Sequence, residues 1–241
     1  MALKRNLIEF HKFKRFLVLL LSFSSIYIFL AINVSKKISK QDLEAIKTLK
    51  VSESCSNISS FQDKLNCIKN IQSSQLYLVK GKKCRGYFIE IGSTEFLNSK
   101  TGCCFDRARL MEQTLRHYGF KVRHIHLHKT DNLGFANLLV PRTASHAANE
   151  VFTSKGWMGV DSNEPFILLD EKDNPHTYYS AIEKGIIKNF SNEDFYDVPL
   201  IYIVGLYSRH GTFFKPYLPG LPELNFNDLL RNFNKIKIIN S

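Results

Sequence analysis

Residues 101–113 have the sequence TGCCFDRARLMEQ, which places two adjacent cysteines at the start of a predicted helix. An apolar stripe that steps by four and three residues defines one face of this helix. Its members are Cys104, Ala108, Met111, Leu115 and Tyr118. Gly119 then provides a helix stop. Cys104 therefore begins the core-facing stripe, where unpaired N–H groups and the helix dipole stabilise a thiolate.

Two segments after this helix have the alternation that is typical of β-strands. Residues 121–128, KVRHIHLH, alternate at period two, and residues 145–163 contain two extended runs around Thr-Ser-Lys-Gly, which predicts a hairpin. An even-numbered hairpin loop would place His146 and Asp161 on one face, opposite or one diagonal step apart. An odd loop without a bulge would separate them. In the even register, Asp161 would orient His146, and His146 would hold the proton that Cys104 gives up.

Helical patterns precede the cysteine helix and strands follow it. Ser39-Lys-Gln-Asp42 and Ser60-Phe-Gln-Asp63 have the form of capping boxes, and apolar residues at helical spacing follow each of them. Residues 76–97 alternate loosely, as short strands or loops do. Residues 199–208 are the most strand-like run, and residues 227–233 predict a last short helix. This segregation of helices and strands predicts an α+β fold.

Four segments between residues 84 and 170 resemble the transglutaminase-like domains of the papain-like cysteine hydrolases and transferases. In GCCFDRA, residues 102–108, a glycine stands two positions before the cysteine that matches the family's nucleophile. GFKVR, residues 119–123, looks like the segment that leaves the cysteine helix. SHAANEV, residues 145–151, is similar to the family's histidine strand, and GWMGVD, residues 156–161, to its aspartate strand. The order Cys, His, Asp is also that of the family.

The resemblance implies a fold in which the nucleophile lies at the N-terminus of a central helix that packs on an antiparallel sheet. It also implies that Cys104 attacks a carboxamide or peptide carbonyl, while His146 transfers the proton and Asp161 orients the imidazole. The thioester formed is released to water or to an amine, and water is the default acceptor. The backbone N–H of Cys104 is one expected oxyanion donor, and no motif identifies the second. No cofactor is expected.

Three further residues are secondary candidates for substrate binding. They are Trp157, Arg209 and His210. Each also has a simpler interpretation, because Trp157 suits a core position and Arg209-His210-Gly211 suits an exposed turn. The sequence alone leaves both interpretations open.

The five cysteines form an odd set, which suits two disulfides and one free thiol. A bridge between adjacent residues is strained, so Cys103 is expected to pair with Cys84 and to leave Cys104 free. Cys55 and Cys67 flank the start of a predicted helix and suit a local disulfide. The competing possibility is a bond from Cys104 to another cysteine, which would keep the nucleophile inactive until reduction.

The histidines at alternate positions of the 121–128 strand are a rival signal. His124, His126 and His128 would share one strand face, and such a pattern can bind zinc or another transition metal. The simpler interpretation is a polar face near a cleft or solvent, because no carboxylate or cysteine ligand has an evident place nearby. A metal-binding protein built on this strand is therefore an alternative to the cysteine enzyme.

Residues 16–34 form an apolar run of 19 without a charge, close to the length that a helix needs to cross a bilayer. They predict an uncleaved membrane anchor that follows a basic cytoplasmic tail, residues 1–15. The anchor would be followed by a helical part, residues 35–75, and then by a catalytic domain, residues 76–241. Lys and Arg residues are nearly balanced across the run, so charge does not fix the orientation. The cysteine usage favours a periplasmic or extracellular domain.

The basic charge limits the classes of partner. The net charge is +11, and residues 1–35 hold five Lys/Arg and one Glu, so the rest of the chain carries +7. Nucleic acid is not an expected partner, because no cluster of Lys and Arg is interleaved with aromatic residues. One expected partner is a protein or peptide amide substrate, which in one interpretation is associated with the cell envelope. The other is the membrane, through the N-terminal anchor. A non-catalytic domain of the same fold that binds an envelope protein or glycan is a further alternative.

Overall fold

The computed structural model describes residues 14–26, 33–51, 55, 58–80, 83–84, 92–99, 101–140, 143–191, 194–207 and 223–239. The chain divides into two compact units, Met1–Asn33 and Val34–Ser241. Residues 14–26 are helical and are called α1. Among the described residues, no helix combines the length and the apolar character needed to span a membrane. The predicted anchor, residues 16–34, includes residues 27–32, which lie outside the described residues, and it stays a prediction.

Among its described residues the second unit contains six α-helices, and the two that follow predicted capping boxes begin as predicted. Their bounds are α2 Lys40–Thr48, α3 Phe61–Val79, α4 Ser93–Asn98, α5 Cys104–His117, α6 Tyr178–Glu183 and α7 Phe226–Arg231. Both predicted capping boxes are present, with Ser39 and Ser60 as N-cap residues. The stop after α5 is Gly119, whose φ of 82° lies in the left-handed region that glycine adopts without steric cost.

The prediction of strands or loops for residues 76–97 is wrong at both ends. Helix α3 continues to Val79, and α4 occupies Ser93–Asn98, while residues 81–82 and 85–91 lie outside the described residues. Along α3, Ile71, Gln75 and Val79 are buried at steps of four residues. The spacing of the apolar residues at the start of this stretch is therefore also compatible with a helix. The predicted domain boundary between residues 75 and 76 falls inside this helix.

The strands form one antiparallel sheet in the order β3-β2-β1-β4-β5. Their bounds are β1 Val122–Lys129, β2 Ser145–Thr153, β3 Gly156–Val160, β4 Leu200–Val204 and β5 Lys237–Ile239. The predicted hairpin is β2 and β3, in which Thr153 pairs with Gly156 across a two-residue turn. The loop is thus even-numbered. Since Asn149 pairs with Val160, His146 and Asp161 lie one diagonal step apart on the same face.

Helix α5 packs on one face of the sheet and α6 on the other. Met111 and Leu115 of α5 share a buried cluster with Val122, Val151 and Met158 of the sheet. On the opposite face a second cluster joins sheet residues, among them Ile125 and Leu127, to Tyr178 of α6. The N-terminus of α5 and the loop after β3 are thereby held at the same end of the β2–β3 hairpin.

A buried ion pair joins the strands to α6. The Nε of Arg123 donates to Oε2 of Glu150 at 2.8 Å, and their side chains are 3% and 0% exposed. The Tyr202 hydroxyl donates to the same carboxylate oxygen at 3.0 Å. The other oxygen accepts from the backbone N–H of Tyr178 at 2.8 Å. Glu150 thus ties β1, β2 and β4 to the start of α6.

Replacing Arg123 with methionine should strongly destabilise the domain, because the buried carboxylate of Glu150 would lose its cation. The free energy of unfolding is expected to fall by about 3–5 kcal/mol, measured by urea unfolding followed by circular dichroism. The control is Lys188→Met, which breaks an exposed pair with Asp197, whose side chains are 61% and 52% exposed. That change should cost about 1 kcal/mol or less. Equal, small effects of both substitutions would contradict the structural role of Arg123.

Candidate active site

Cys104 is the first residue of α5, and local contacts fix the chain just before it. Cys103 is the N-cap residue, and its N–H donates to the Asp106 carboxylate at 2.9 Å. A Cβ at Gly102 would overlap the Phe96 ring, so a glycine is required for this close approach. The first-turn N–H groups of a helix lie outside its i→i−4 ladder and point toward its N-terminal end, where the Cys104 sulfur lies.

The cysteines are arranged as predicted. Disulfides join Cys55 to Cys67 and Cys84 to Cys103. Cys104 is a free, partly buried thiol, so the competing arrangement with a disulfide at Cys104 is not the one in this structure. The bridge at Cys103 anchors the residue next to the nucleophile candidate while it leaves the Cys104 sulfur unmodified.

The structure brings Cys104, His146 and Asp161 together. Nε2 of His146 lies 2.7 Å from Oδ2 of Asp161, and the same imidazole is hydrogen-bonded to the sulfur of Cys104. Because Nε2 faces Asp161, Nδ1 is the nitrogen left for Cys104. His146 therefore bridges the thiol and the carboxylate.

Asp161 is held by several hydrogen bonds besides that of His146. Its Oδ1 accepts from the backbone N–H groups of Asn163 at 2.7 Å and Glu164 at 2.8 Å. Its Oδ2 also accepts from the hydroxyl of Tyr178 at 2.6 Å. These bonds fix the carboxylate in the orientation that meets the imidazole.

The electrostatics of the site favour a thiolate–imidazolium pair. Burial acts to raise the pKa of Cys104, but the hydrogen bond and charge of His146 outweigh it, and the pKa lies below the usual value. Backbone N–H groups of Ala147 and Phe105 act in the same direction. Burial acts to lower the pKa of His146, yet Asp161 and Cys104 raise it well above the usual range. Both shifts favour the charged form of the group concerned, the thiolate for Cys104 and the imidazolium for His146.

The pKa of Asp161 moves in the direction that such a pair needs. Burial acts to raise this pKa, but the charge and hydrogen bond of His146, together with the hydroxyl of Tyr178, lower it below the usual range. Asp161 is therefore a carboxylate at neutral pH. It accepts hydrogen bonds and stabilises the imidazolium.

Three residues that support the site were not predicted. The first is Tyr178, which donates to Asp161 as described above. The second is Gln72, whose amide donates to the Asp161 carbonyl at 2.9 Å, and the third is Ser162, whose hydroxyl donates to the Ala147 carbonyl at 2.9 Å. Gln72 was visible in the sequence as a polar residue on the apolar face of α3. Tyr178 stands seventeen residues after Asp161, and no local pattern marks it.

The secondary candidates for substrate binding do not join this group in the described residues. Trp157 pairs with Phe152 near the turn of the hairpin, and the Arg123 guanidinium lies 4.2 Å from its ring centroid. Phe152 and His146 are six residues apart on β2, which corresponds to about 20 Å along a strand. Arg209 and His210 lie outside the described residues.

The three histidines of the rival metal site share one face of β1, as the alternation predicts. Their side chains are buried, and His124 stacks on Tyr207 with ring centroids 4.4 Å apart. Burial lowers the pKa of His124 to about 4. Across the part of the chain that the structure describes, no group of three or more His, Cys, Asp and Glu side chains is placed to hold a metal ion.

Comparison with known proteins identifies the domain that carries this site. Residues 60–162 match the family model of the transglutaminase-like superfamily. Neither the curated proteins nor the solved structures gave a significant match to the chain. The matched residues run from the N-cap of α3 to the residue after Asp161 and include Cys104 and His146. The resemblance inferred from the four sequence segments is confirmed.

Proposed function

We propose that the domain whose residues 60–162 match the transglutaminase-like superfamily is a cysteine-dependent hydrolase or acyltransferase that acts on peptide or protein amides. The superfamily belongs to the papain-like cysteine enzymes. Cys104 is the proposed nucleophile, His146 the general base and acid, and Asp161 the residue that orients the imidazole.

The observation that carries the proposal is the position of the His146 imidazole between two partners. One nitrogen lies 2.7 Å from the Asp161 carboxylate, and the ring is also hydrogen-bonded to the Cys104 sulfur. An activated nucleophile of this type needs a base within hydrogen-bond reach and a third group that orients the base. The chain supplies all three groups from α5, β2 and the end of β3.

In the proposed reaction the Cys104 thiolate forms a bond to the carbonyl carbon, and the electron pair of the C=O bond moves to oxygen. When the carbonyl re-forms, the C–N bond breaks and the amine leaves with the proton of His146. The thioester is then attacked by water or by an amine, which gives its proton back to His146, and the C–S bond breaks as the carbonyl re-forms, so that the product leaves and Cys104 is again a thiolate. We propose hydrolysis as the main outcome, because water needs no dedicated acceptor site.

We also propose that residues 16–34 anchor the domain in a membrane, with the N-terminus cytoplasmic and the domain outside. The described part of this run, residues 16–26, is helical, and most of its large apolar side chains are at least 42% exposed. The hydroxyls of Ser22 and Ser25 donate to carbonyls four residues earlier at 2.8 Å, which suits an apolar surrounding. The two disulfides suit an oxidising compartment.

Trapping of a thioester on Cys104 tests the proposed function. Incubation of the full-length protein with p-nitrophenyl acetate should acylate Cys104 and no other residue to a comparable extent, as read by peptide mass spectrometry. The reason is that the lowered thiol pKa and the adjacent base make this sulfur the strongest nucleophile in the chain. A peptide amide should then compete with the ester for the same sulfur. If Cys104 is not acylated, the protein is a non-catalytic member of the superfamily.

A further inference from the structure

The proposed chemistry leaves unused the three histidines on the face of β1 that packs against α5. The ring of His124 lies 6.1 Å from that of Phe105, and its Nδ1 lies 4.0 Å from the Glu112 carboxylate. Because side chains alternate along a strand, His126 and His128 point to this same side of the sheet. The exposed fractions are 0% for His124, 2% for His126 and 0% for His128.

The contacts of α5 with β2 show which histidine lies level with Cys104. The Asn149 amide donates to the Ala108 carbonyl at 2.9 Å, and Asn149 is the cross-strand partner of His124. One helical turn earlier, the Ala147 N–H is hydrogen-bonded to the Cys104 sulfur. Ala147 is the cross-strand partner of His126. His126 therefore lies on the face of the sheet that packs against α5, level with the nucleophile along the strands.

The ring nitrogens of His126 have no hydrogen-bond partner among the described residues, and the same is true of Nδ1 of His128. Nε2 of His128 is engaged by the Asn137 carbonyl at 3.2 Å. Buried polar groups in native proteins are nearly always hydrogen-bonded, so an unpaired one calls for an explanation, and a catalytic role is one that fits a group level with the nucleophile. A ligand that brings an acceptor oxygen to the tip of α5 would supply the missing partner.

The charge state of His126 suits a hydrogen-bond donor. Burial, together with the neighbouring His128, His124 and His146, holds its pKa well below the usual range. The ring is therefore neutral and carries one N–H. A neutral imidazole donates a hydrogen bond to a developing oxyanion without giving up its proton, because its own N–H is a very weak acid.

We infer that His126 is a catalytic residue whose N–H donates to the substrate carbonyl oxygen as Cys104 attacks, and that it acts as the second oxyanion donor beside the backbone N–H of Cys104. The inference rests on the proposed acyl-transfer function. As the S–C bond forms, the C=O electron pair moves to an oxygen that accepts both hydrogen bonds. As the carbonyl re-forms, the leaving group takes the proton of His146, while His126 keeps its own proton throughout.

Two reactions of the same sulfur separate this role from the activation of Cys104. Acylation by p-nitrophenyl acetate passes through an oxyanion, whereas alkylation by iodoacetamide is a displacement at a saturated carbon and does not. In the full-length protein, His126→Phe removes the N–H and keeps a flat ring. It should slow acylation of Cys104 by roughly 100- to 1,000-fold and leave the alkylation rate essentially unchanged. His126→Gln, which retains an N–H donor, should recover part of the loss.

The matched control is His124→Phe, on the same face of the same strand but level with Ala108. It should keep the wild-type ratio of acylation to alkylation. If His126→Phe also keeps that ratio while wild-type Cys104 is acylated, His126 is not an oxyanion donor and the proposed function stands. If wild-type Cys104 is alkylated but never acylated, both the function and this inference are overturned.

A measurement on the wild-type protein applies if His126→Phe does not fold. A peptidyl trifluoromethyl ketone would add to Cys104 and form a stable tetrahedral oxyanion. The ring N–H proton of His126, followed by NMR with ¹⁵N-labelled histidine, should then move downfield because it gains a charged acceptor. An unchanged His126 signal in the adduct would overturn the inference.

Discussion

Replacing Cys104 with alanine should abolish acyl transfer, with a loss of at least about 10⁴-fold in kcat/KM, because no other group among the described residues of the site can form the thioester. The substitution removes one partly buried sulfur, and the domain should keep its fold. The measurement is turnover of an activated ester or peptide amide by the purified full-length protein, with near-ultraviolet circular dichroism as the check of folding.

The control for this substitution is a variant on the same helix that leaves Cys104 in place. Reduction of the disulfides is unsuitable as a control, since Cys103 is bonded to Cys84 and is the N-cap residue of α5. His117→Ala, at the far end of the same helix, is a suitable reference because its side chain is exposed. It should retain wild-type turnover. Residual turnover in Cys104→Ala equal to that of His117→Ala would refute the role of the sulfur.

Asp161→Asn should lower kcat by about 10⁴-fold, because an amide lacks the charge that stabilises the imidazolium and presents a donor where His146 needs an acceptor. The three remaining hydrogen bonds, from Asn163, Glu164 and Tyr178, would hold the side chain in place. The loss should therefore lie in kcat, while thermal unfolding changes little in comparison. Initial rates across a range of substrate concentrations separate kcat from KM.

Asp170→Asn is the matched control for Asp161. Asp170 also accepts backbone hydrogen bonds, from Lys172 and Asn174. Hydrogen bonds from Asn174 lower its pKa to about 2. It lies in an exposed turn, so the same substitution there should leave kcat unchanged. Similar losses in both variants would assign the effect of Asp161→Asn to the fold and not to the imidazole.

The local parts of the site followed from the sequence because their signals are local. The stripe that begins at Cys104 and the stop at Gly119 are contained within one helix, and they predicted α5 within two residues of its observed end. The prediction that the hairpin places His146 and Asp161 on one face likewise depended on one condition, a loop with an even number of residues. The two-residue turn between Thr153 and Gly156 meets that condition. The pairing of His146 with Asp161 follows from that register.

The remaining parts depend on contacts between distant segments. Tyr178 donates a hydrogen bond to Asp161 from α6, which a loop separates from β3 in the chain. Only the tertiary packing of α6 brings this hydroxyl to the site. Strand β5, Lys237–Ile239, is a short edge strand that pairs with β4 and has no turn signal before it. The alignment of His126 with Cys104 along the sheet needs the packing of α5 on β2, which periodicity does not specify.

The reactivity of Cys104 toward iodoacetamide as a function of pH, in the wild type and in His146→Ala, tests most directly whether the three residues act as a unit. A thiolate is lost as the pH falls through the pKa of the thiol, so a lowered pKa keeps the wild-type sulfur reactive at pH values where an ordinary thiol is protonated. In His146→Ala the midpoint should rise by about 1–3 pH units, because the hydrogen bond and charge of the imidazolium are gone. Identical profiles, with the midpoint of an ordinary thiol in both proteins, would contradict the thiolate–imidazolium pair.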